Sequence, residues 1–223
     1  VVSKKKEEIG SALSLVFLPD NLGLGEALRI GVTKCRFDWI ARMDADDVSD
    51  SERFEKQISV IESVPDLDII GSYVQERSNA ASTPAKLRRC PISHKDIVRY
   101  AKKRCPFNHP TVMFKKEAII RAGNYLGYRN YQDYELWVRL IQSGAKCLNI
   151  AEPLVTMKVD QDLIGRRGGL RYACLEYNIQ QKFLTTRFLS KVEFFRNVTI
   201  RISVRLLPRS IRRWFYSSVL RRR

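Results

Sequence analysis

The stretch "WIARMDADDVSDSERFEKQ", residues 39–57, puts three carboxylates (Asp44, Asp46 and Asp47) within four positions, directly after an apolar run. Residues 37–43 read as a short buried strand, and the acids begin where that strand ends. Adjacent carboxylates repel one another, so the arrangement costs stability unless a cation shares their charge. The chain as a whole carries a net charge of +16, which makes a local concentration of acid the more notable. Two readings stand side by side: a solvated turn capping the next helix, or a metal site. In an open α/β sheet, ligands bind outside the carboxyl ends of strands. Oxygen-only ligands suit Mg²⁺ or Mn²⁺, ions that keep several waters and bridge phosphates. A calcium loop of the EF-hand kind is excluded, because Val48 stands where a third oxygen ligand is needed and Ser49 replaces the turn glycine.

Working outward, Ser49 and Glu52 have the spacing of a capping box, and Phe54, Ile58 and Ile61 follow at helical intervals. Upstream, "SALSLVFL" (residues 11–18) reads as a buried strand bounded by "PDN". "NLGLGEALRIGVTKC" reads as a helix with Leu24, Ala27 and Leu28 on one face. Downstream, "DLDIIGSYV" reads as a strand, residues 93–104 as a basic helix, "PTVMF" as a strand and "KKEAIIRAG" as a helix stopped by Gly123. "YQDYELWVRLIQSG" is a further helix, with Leu136, Leu140 and Ile141 inward, and "AKCLNI" a final strand before "EPLVTMKV". Strands alternating with helices predict an α/β fold with a mostly parallel sheet flanked by helices.

The 223 residues, 44% of them hydrophobic, suffice for one sizeable core. Five cysteines are an odd count and none stand at C-x-x-C spacing, which argues against a disulfide framework or a zinc cage. No apolar run is long enough to cross a bilayer. From residue 182 onward, twelve Lys and Arg face one acid, Glu193, so the C-terminal segment carries most of the positive field. There Phe194, Val198, Ile202 and Leu206 recur at i+4 intervals beside Arg201, Arg205 and Arg209, and Trp214 and Phe215 follow Pro208. The alternation in "VTIRISV" also suits a strand. Read as a helix, the segment is the basic amphipathic type that lies on an anionic membrane surface.

Outside the acid cluster, Asp133 falls in the first turn of its helix, where the dipole favours the ionised form. An ionised carboxylate beside a cleft can take a proton from a sugar hydroxyl, although a first-turn acid is also an ordinary helix-stabilising charge. His109, beside Pro110, suits a structural or hydrogen-bonding role, and His94 an exposed helix start. "GRRGG" (residues 165–169) is either a solvated loop or a mobile one whose Arg166 and Arg167 clamp phosphates. Phosphate-loop and nucleophile-elbow motifs are absent from the sequence, against nucleotide hydrolysis and acyl transfer.

Taken together and in order, "NLGLGEALRIGVTKCRFDWIARMDADDVSDSERFEKQ", "DLDIIGSYV", "NHPTVMFKKEAI", "QDYELWVRL" and "RRGG" resemble the family 2 glycosyltransferases of bacteria, enzymes with the GT-A (Rossmann-like) fold. The resemblance covers nearly all of the chain from Asn21. It implies an inverting transfer from a nucleotide-diphosphate sugar, a UDP-sugar, to an acceptor hydroxyl in surface polysaccharide or lipopolysaccharide synthesis. On that resemblance Asp46 and Asp47 hold Mn²⁺ or Mg²⁺, Asp44 lies toward the nucleoside, and Asp133 matches the catalytic base. His109, Arg166 and Arg167 match positions near donor or acceptor. Gln132 replaces a Glu frequent in the family. Members usually begin with a strand, a helix and a second strand ending in a D-D-G-S-like turn. This chain starts after those parts, so it is expected to be N-terminally truncated: a fragment of a longer enzyme in preference to a degenerate remnant.

The expected organisation is an incomplete GT-A core over residues 1–157, an Arg/Gly loop and connecting helix over 158–181, and a membrane-associating tail over 182–223. The expected partners are a nucleotide-sugar donor, a glycan or lipid-linked acceptor and the anionic inner face of the bacterial plasma membrane, with no specific nucleic acid. The rival expectation is a catalytically inactive fragment serving as a membrane- or nucleic-acid-binding module. The interleaving of basic residues with Phe194, Phe195, Trp214 and Phe215 favours a membrane over nucleic acid.

Overall fold

The computed structural model describes residues 10–78, 85–128, 130–159, 168–208 and 211. The seven helices among them are α1 (Leu24–Lys34), α2 (Arg53–Ser63), α3 (His94–Ala101), α4 (Lys116–Arg121), α5 (Gln132–Gln142), α6 (Leu170–Thr185) and α7 (Lys191–Leu206). The six strands are β1 (Trp39–Ala41), β2 (Val48–Ser49), β3 (Leu67–Ser78), β4 (Lys86–Arg88), β5 (Met113–Lys115) and β6 (Lys146–Val159). They form one sheet in the order β1-β5-β3-β6-β2, with β4 added to β3.

The long β3–β6 seam is parallel, and the pairings β1–β5, β3–β5, β3–β4 and β2–β6 are antiparallel. The expectation of a mostly parallel sheet thus holds for its longest seam, while the sheet as a whole is mixed. The reason lies in the connections. A parallel pair needs a crossover of a dozen or more residues, which α3, β5, α4 and α5 supply between β3 and β6. The strands of two or three residues are antiparallel additions: β2, β4 and β5 sit beside the long ones, and β1 beside β5.

Side chains alternate across the sheet as the pleat requires. Ile69, Phe114 and Cys147 point to one face, where Val32, Ile97, Ala118, Ile119, Leu136, Trp137 and Leu140 cover them. Their neighbours Ile70, Met113 and Leu148 point to the other face, covered by Val60 and Ile61 of α2 and by Val64 just after it. Helix α5 is enclosed from both sides: Leu136, Trp137 and Leu140 meet the sheet, while Tyr134 and Val138 meet Ile179 and Phe183 of α6.

Three local expectations change. Residues 13–18 form no strand: no described strand pairs with them, the Leu13 N–H turns back to the Gly10 carbonyl at 3.2 Å, and Phe17 is exposed. An apolar run becomes a strand only where a neighbour supplies the hydrogen bonds. The Ser49–Glu52 capping box does not form, because Ser49 is drawn into β2 opposite Val155 and the Asp50 carboxylate accepts from the Glu52 N–H at 3.0 Å instead. Helix α2 turns Arg53 and Gln57 inward and leaves Phe54 53% exposed. Arg53 Nη2 donates to the Arg42 carbonyl at 2.9 Å and Gln57 Nε2 to that of Thr111 at 2.9 Å. Unpaired carbonyls beyond the strand ends decide which side of the helix is buried, since leaving them without donors would cost more than exposing a phenyl ring.

"VTIRISV" is helical, as the i+4 spacing predicts. Its buried face differs from the predicted one: Phe194, Asn197 and Val204 are buried, whereas Leu206 is exposed. Arg201 and Arg205, expected on a basic stripe meeting an anionic membrane, reach inward to Glu176. The segment boundaries drawn at 157/158 and 181/182 fall inside β6 and α6.

Candidate active site

The acid cluster lies between two strands on different arms of the sheet. β1 continues into Arg42, whose N–H donates to the Val112 carbonyl at 2.9 Å, and β2 pairs with the far end of β6. Asp44, Asp46 and Asp47 form the turn between them. The Asp47 N–H donates to the Asp44 carbonyl at 3.3 Å, and Asp47 Oδ1 accepts from the Lys158 N–H at 3.2 Å. Arg42 is buried and its guanidinium pairs with Asp44. Asp46 is exposed. Asp47 Oδ2 is buried and finds no hydrogen-bond partner among the described residues. Burial, and then the charges of Asp44 and Asp46, hold the Asp47 carboxyl above its ordinary range, although the Lys158 N–H and Arg42 pull the other way.

A hard divalent cation against Asp47 Oδ2 would remove that penalty, so these residues fit such an ion. Among the described residues no group of three or more His, Cys, Asp or Glu forms a metal cage. Mg²⁺ bound with a substrate diphosphate needs only one or two carboxylates, because phosphate oxygens and water complete its shell.

Asp133 comes from the opposite direction. It sits, half-buried, in the first turn of α5, two residues after Tyr131, which occupies the helix N-cap with φ 62° and ψ 14°. The Cys105 thiol has two acceptors in reach, the Phe107 carbonyl at 3.4 Å and Asp133 Oδ2 at 3.8 Å. Burial and the Asp133 charge raise the Cys105 pKa well above its ordinary value, so it remains a thiol.

His109 lies in a short 3₁₀ turn (His109–Thr111) just before β5. Its Nε2 is 2.9 Å from the Tyr125 hydroxyl, and its ring meets the edge of Trp137 at 5.9 Å between centroids. Burial pushes its pKa down to about 4; the Asp133 charge opposes the drop and Arg42 adds to it. The imidazole is therefore neutral at pH 7.

The turn that carries Cys105 and His109 is held to the sheet by a polar knot. Asn108 Nδ2 donates to the Ser72 carbonyl at 2.9 Å, the Ser72 N–H donates to Thr111 Oγ1 at 2.9 Å, and Asn149 Nδ2 reaches the Pro106 carbonyl at 3.2 Å. The knot sits at the register shifts around Tyr73, where the β3–β6 ladder is interrupted. Gly71 admits the approach: a Cβ there would lie 2.3 Å from Asn149 Oδ1.

Arg42 joins the two constellations electrically. Its charge acts on Asp47, His109 and Tyr125, and the Asp133 charge acts on His109, Tyr125 and Cys105. Asp44, Asp47, His109 and Asp133 thus share one electrostatic neighbourhood. Arg166 and Arg167 lie outside the described residues, as do residues 209–210 and 212–223 of the tail. Reasoning from sequence passed over Arg42, Cys105, Tyr125 and Tyr131. Of these only Arg42 had a local signal, a cation directly at a strand end before three acids.

The family model described as "Glycosyl transferase family 2" matches residues 4–123, more than half of the chain. The chain is 38% identical over 205 residues to an Escherichia coli protein named UDP-Gal:alpha-D-GlcNAc-diphosphoundecaprenol beta-1,3-galactosyltransferase, covering 92% of this chain and 74% of that one. It is 35% identical over 207 residues to the amylovoran biosynthesis glycosyltransferase AmsE of Erwinia amylovora, covering 92% and 76%. Among solved structures, S. aureus TarS 1–349 in complex with UDP-GlcNAc superimposes with a TM-score of 0.62 at 11% identity, covering 97% of this chain and 63% of that one. At that identity the likeness is one of fold.

Proposed function

The chain belongs to glycosyl transferase family 2 and has the GT-A fold, and from that premise we propose that it transfers a sugar, with inversion, from a UDP-sugar to a hydroxyl of a lipid-linked acceptor in surface glycan synthesis. The observation that carries this reading is the convergence, through Arg42 and His109, of an acid turn, whose buried Asp47 oxygen finds no partner among the described residues, with the half-buried Asp133. The named activity of the E. coli relative, which joins galactose to a diphosphoundecaprenol-linked sugar, supports the donor and acceptor classes.

In this reading Asp133 accepts the proton of the acceptor hydroxyl as its oxygen attacks the anomeric carbon. The bond from that carbon to the diphosphate breaks, and its electron pair leaves with UDP. Neutral His109 competes neither for the proton nor for the diphosphate charge. Arg42 neutralises Asp44 and so limits the repulsion felt by a diphosphate entering beside the turn. Asp46 and Asp47 are the residues that would hold Mn²⁺ or Mg²⁺, and Asp44 lies toward the nucleoside. Such an ion would supply Lewis-acid stabilisation of the departing diphosphate. Arg166 and Arg167 are proposed as phosphate ligands on sequence grounds.

We also propose attachment to an anionic membrane face. No described helix is long and apolar enough to cross a membrane. On α7 the outward face carries Val192, Phe195 and Leu206 beside Lys191 and Arg196, with Phe195 65% exposed. A surface of that kind suits shallow insertion among acidic headgroups. The rival reading as a non-catalytic binding module gives no role to the Asp47 oxygen or to the buried surroundings of Asp133.

The test uses the full chain with UDP-galactose and a GlcNAc-α-diphospholipid acceptor, following UDP release and the coupled product. Metal-dependent product that Asp133→Asn abolishes supports the reading. UDP that fails to raise the melting temperature with or without Mn²⁺ counts against it.

A further inference from the structure

Tyr131 stands immediately before the helix of the proposed base, in a backbone conformation that an aromatic residue seldom adopts. Its φ of 62° and ψ of 14° lie in the left-handed region. That region costs an L-residue about 1–2 kcal/mol, and such a residue persists only where its surroundings over-determine it.

Those surroundings come from the C-terminal helices. The Tyr131 hydroxyl donates to Glu176 Oε2 at 2.7 Å and accepts from Arg205 Nη2 at 3.2 Å. Glu176, on α6, is 0% exposed. Arg201 pairs with its Oε1, and Arg205 Nη2 lies 3.1 Å from its Oε2. Burial alone would raise the Glu176 pKa, but Arg201, Tyr131 and Arg205 bring it below the ordinary value and keep it ionised.

The same helix grips the other side of Asp133. Asn197 Nδ2 donates to the Lys102 carbonyl at 2.8 Å and Arg201 Nη1 to that of Lys103 at 2.7 Å. These carbonyls open the turn that leads to Cys105, whose sulfur is 3.8 Å from Asp133 Oδ2. Two residues further along α5, the fully buried Glu135 meets Lys182 of α6 at 2.6 Å. A third grip falls on Gly169, next to the Arg/Gly segment, whose N–H donates to the Arg205 carbonyl at 2.9 Å.

We propose that Tyr131, Glu176 and Arg205 are positioning residues for the transfer reaction. On this account α7 is a frame that aims the Asp133 carboxylate from both flanks, in addition to any membrane contact of its outer face. The inference rests on Asp133 being the base and deepens that reading by naming what holds it in place. Removing the Tyr131 hydroxyl leaves the ring in the α5–α6 cluster and frees the left-handed N-cap to relax. A carboxylate displaced by an ångström costs rate far more than it costs donor binding.

The experiment compares wild type, Tyr131→Phe, Arg205→Lys and Asp133→Asn in the full chain, with UDP-galactose and a GlcNAc-α-diphospholipid acceptor. Hydrogen exchange of the amides at 132–136 and the UDP-dependent melting shift are measured in parallel. The expected result for Tyr131→Phe is a kcat lower by about 10- to 100-fold, with KM for donor and the UDP shift within about twofold and faster exchange confined to 132–136. Arg205→Lys, which keeps a cation beside Glu176, is expected to lose less. Undiminished kcat and unchanged exchange in Tyr131→Phe, beside an inactive Asp133→Asn, overturn the inference and leave the base assignment standing. An active Asp133→Asn enzyme overturns both.

Discussion

The acid turn and the N-terminus of α5 are built on opposite principles. At the turn, three carboxylates crowd together with Arg42 as the cation paired to one of them, Asp46 open to solvent, and an oxygen of Asp47 buried without a partner among the described residues. Around α5 the buried carboxylates all have defined partners, although Gln132 Oε1 and Trp137 Nε1 find none among the described residues. Glu135 is held by Arg139 and Lys182, Glu176 by two arginines and a tyrosine, and Asp133 is flanked by Cys105. On the proposed reading the first region, with its crowded carboxylates, is the one that a ligand would complete. The second is held by ion pairs and hydrogen bonds from within the protein. A transferase needs both, because the donor must come and go while the base keeps its aim on the attacking oxygen.

The largest effect should come from breaking the chemistry without touching either framework. Asp133→Asn keeps the shape of the side chain and removes its basicity. Transfer is expected to fall by about 10²- to 10⁴-fold, while the metal-dependent melting shift with UDP persists. Asp47→Asn should do the reverse at the binding step, abolishing that shift. If both variants lost UDP binding, the division of labour between the two regions would be wrong.

Stability gives the next contrast. Glu176→Gln leaves Arg201 and Arg205 facing a neutral partner, and breaking a buried ion pair costs about 3–5 kcal/mol. Denaturant unfolding should show a loss of that order. Asp46→Ala, by contrast, removes one of three mutually repelling charges from an exposed site. Its effect on the apo protein is expected within about 0.5 kcal/mol of zero and, if anything, stabilising. A comparable loss from both substitutions would erase the distinction between a completed network and an incomplete one.

A smaller perturbation tests the joint between the regions. Gly71→Ala would bring a Cβ to 2.3 Å from Asn149 Oδ1 and 3.0 Å from the Phe107 ring. Overpacking of this kind costs about 1–3 kcal/mol. Because the same knot holds the turn carrying His109, the substitution should also slow transfer, measurable as a lower kcat with the fold retained.

The two regions also differed in how far the sequence exposed them. The acid turn was legible because its elements are local: a strand, three acids and a helix occupy consecutive positions, and strand ends are where ligands bind. Helix α5 was legible for the same reason, from the local spacing of Leu136, Leu140 and Ile141. The frame around Asp133 was not legible. Tyr131, Glu176 and Arg205 are separated by 45 and 29 residues, and no periodicity connects them. Arg201 and Arg205 looked like a membrane-facing stripe because counting charges cannot tell an arginine bound to a buried Glu176 from one in water. The burial of Arg53 and Gln57 in place of Phe54 and Ile58 was hidden likewise, since the carbonyls that draw them in belong to Arg42 and Thr111 elsewhere in the chain. Sequence pattern reports what an element does for itself, and these features are set by what other elements demand of it.

The smallest expected effect is a pH dependence in which the two regions pull in opposite directions. Folding lowers the pKa of His109 from an ordinary 6.5 to about 4. Between those values the unfolded chain binds more protons than the folded one, so this group's contribution to stability is present above pH 6.5 and is lost as pH falls toward 4. Folding raises the pKa of Asp47 above 3.8, so the folded chain binds more protons there, and the contribution of Asp47 is present at low pH and lost as pH rises. Melting temperatures of the metal-free protein between pH 7 and pH 4 should decline with acid. The decline should flatten in His109→Gln, which keeps a hydrogen-bonding side chain without the titration, and steepen in Asp47→Asn, which removes the opposing group. Added Mg²⁺ should change the profile of the wild type and leave that of Asp47→Asn unaltered, because the ion acts on the carboxylate that variant lacks. Equal slopes in all three proteins would show that neither group carries a linked proton, and the electrostatic neighbourhood joining the acid turn to Asp133 would lose its support.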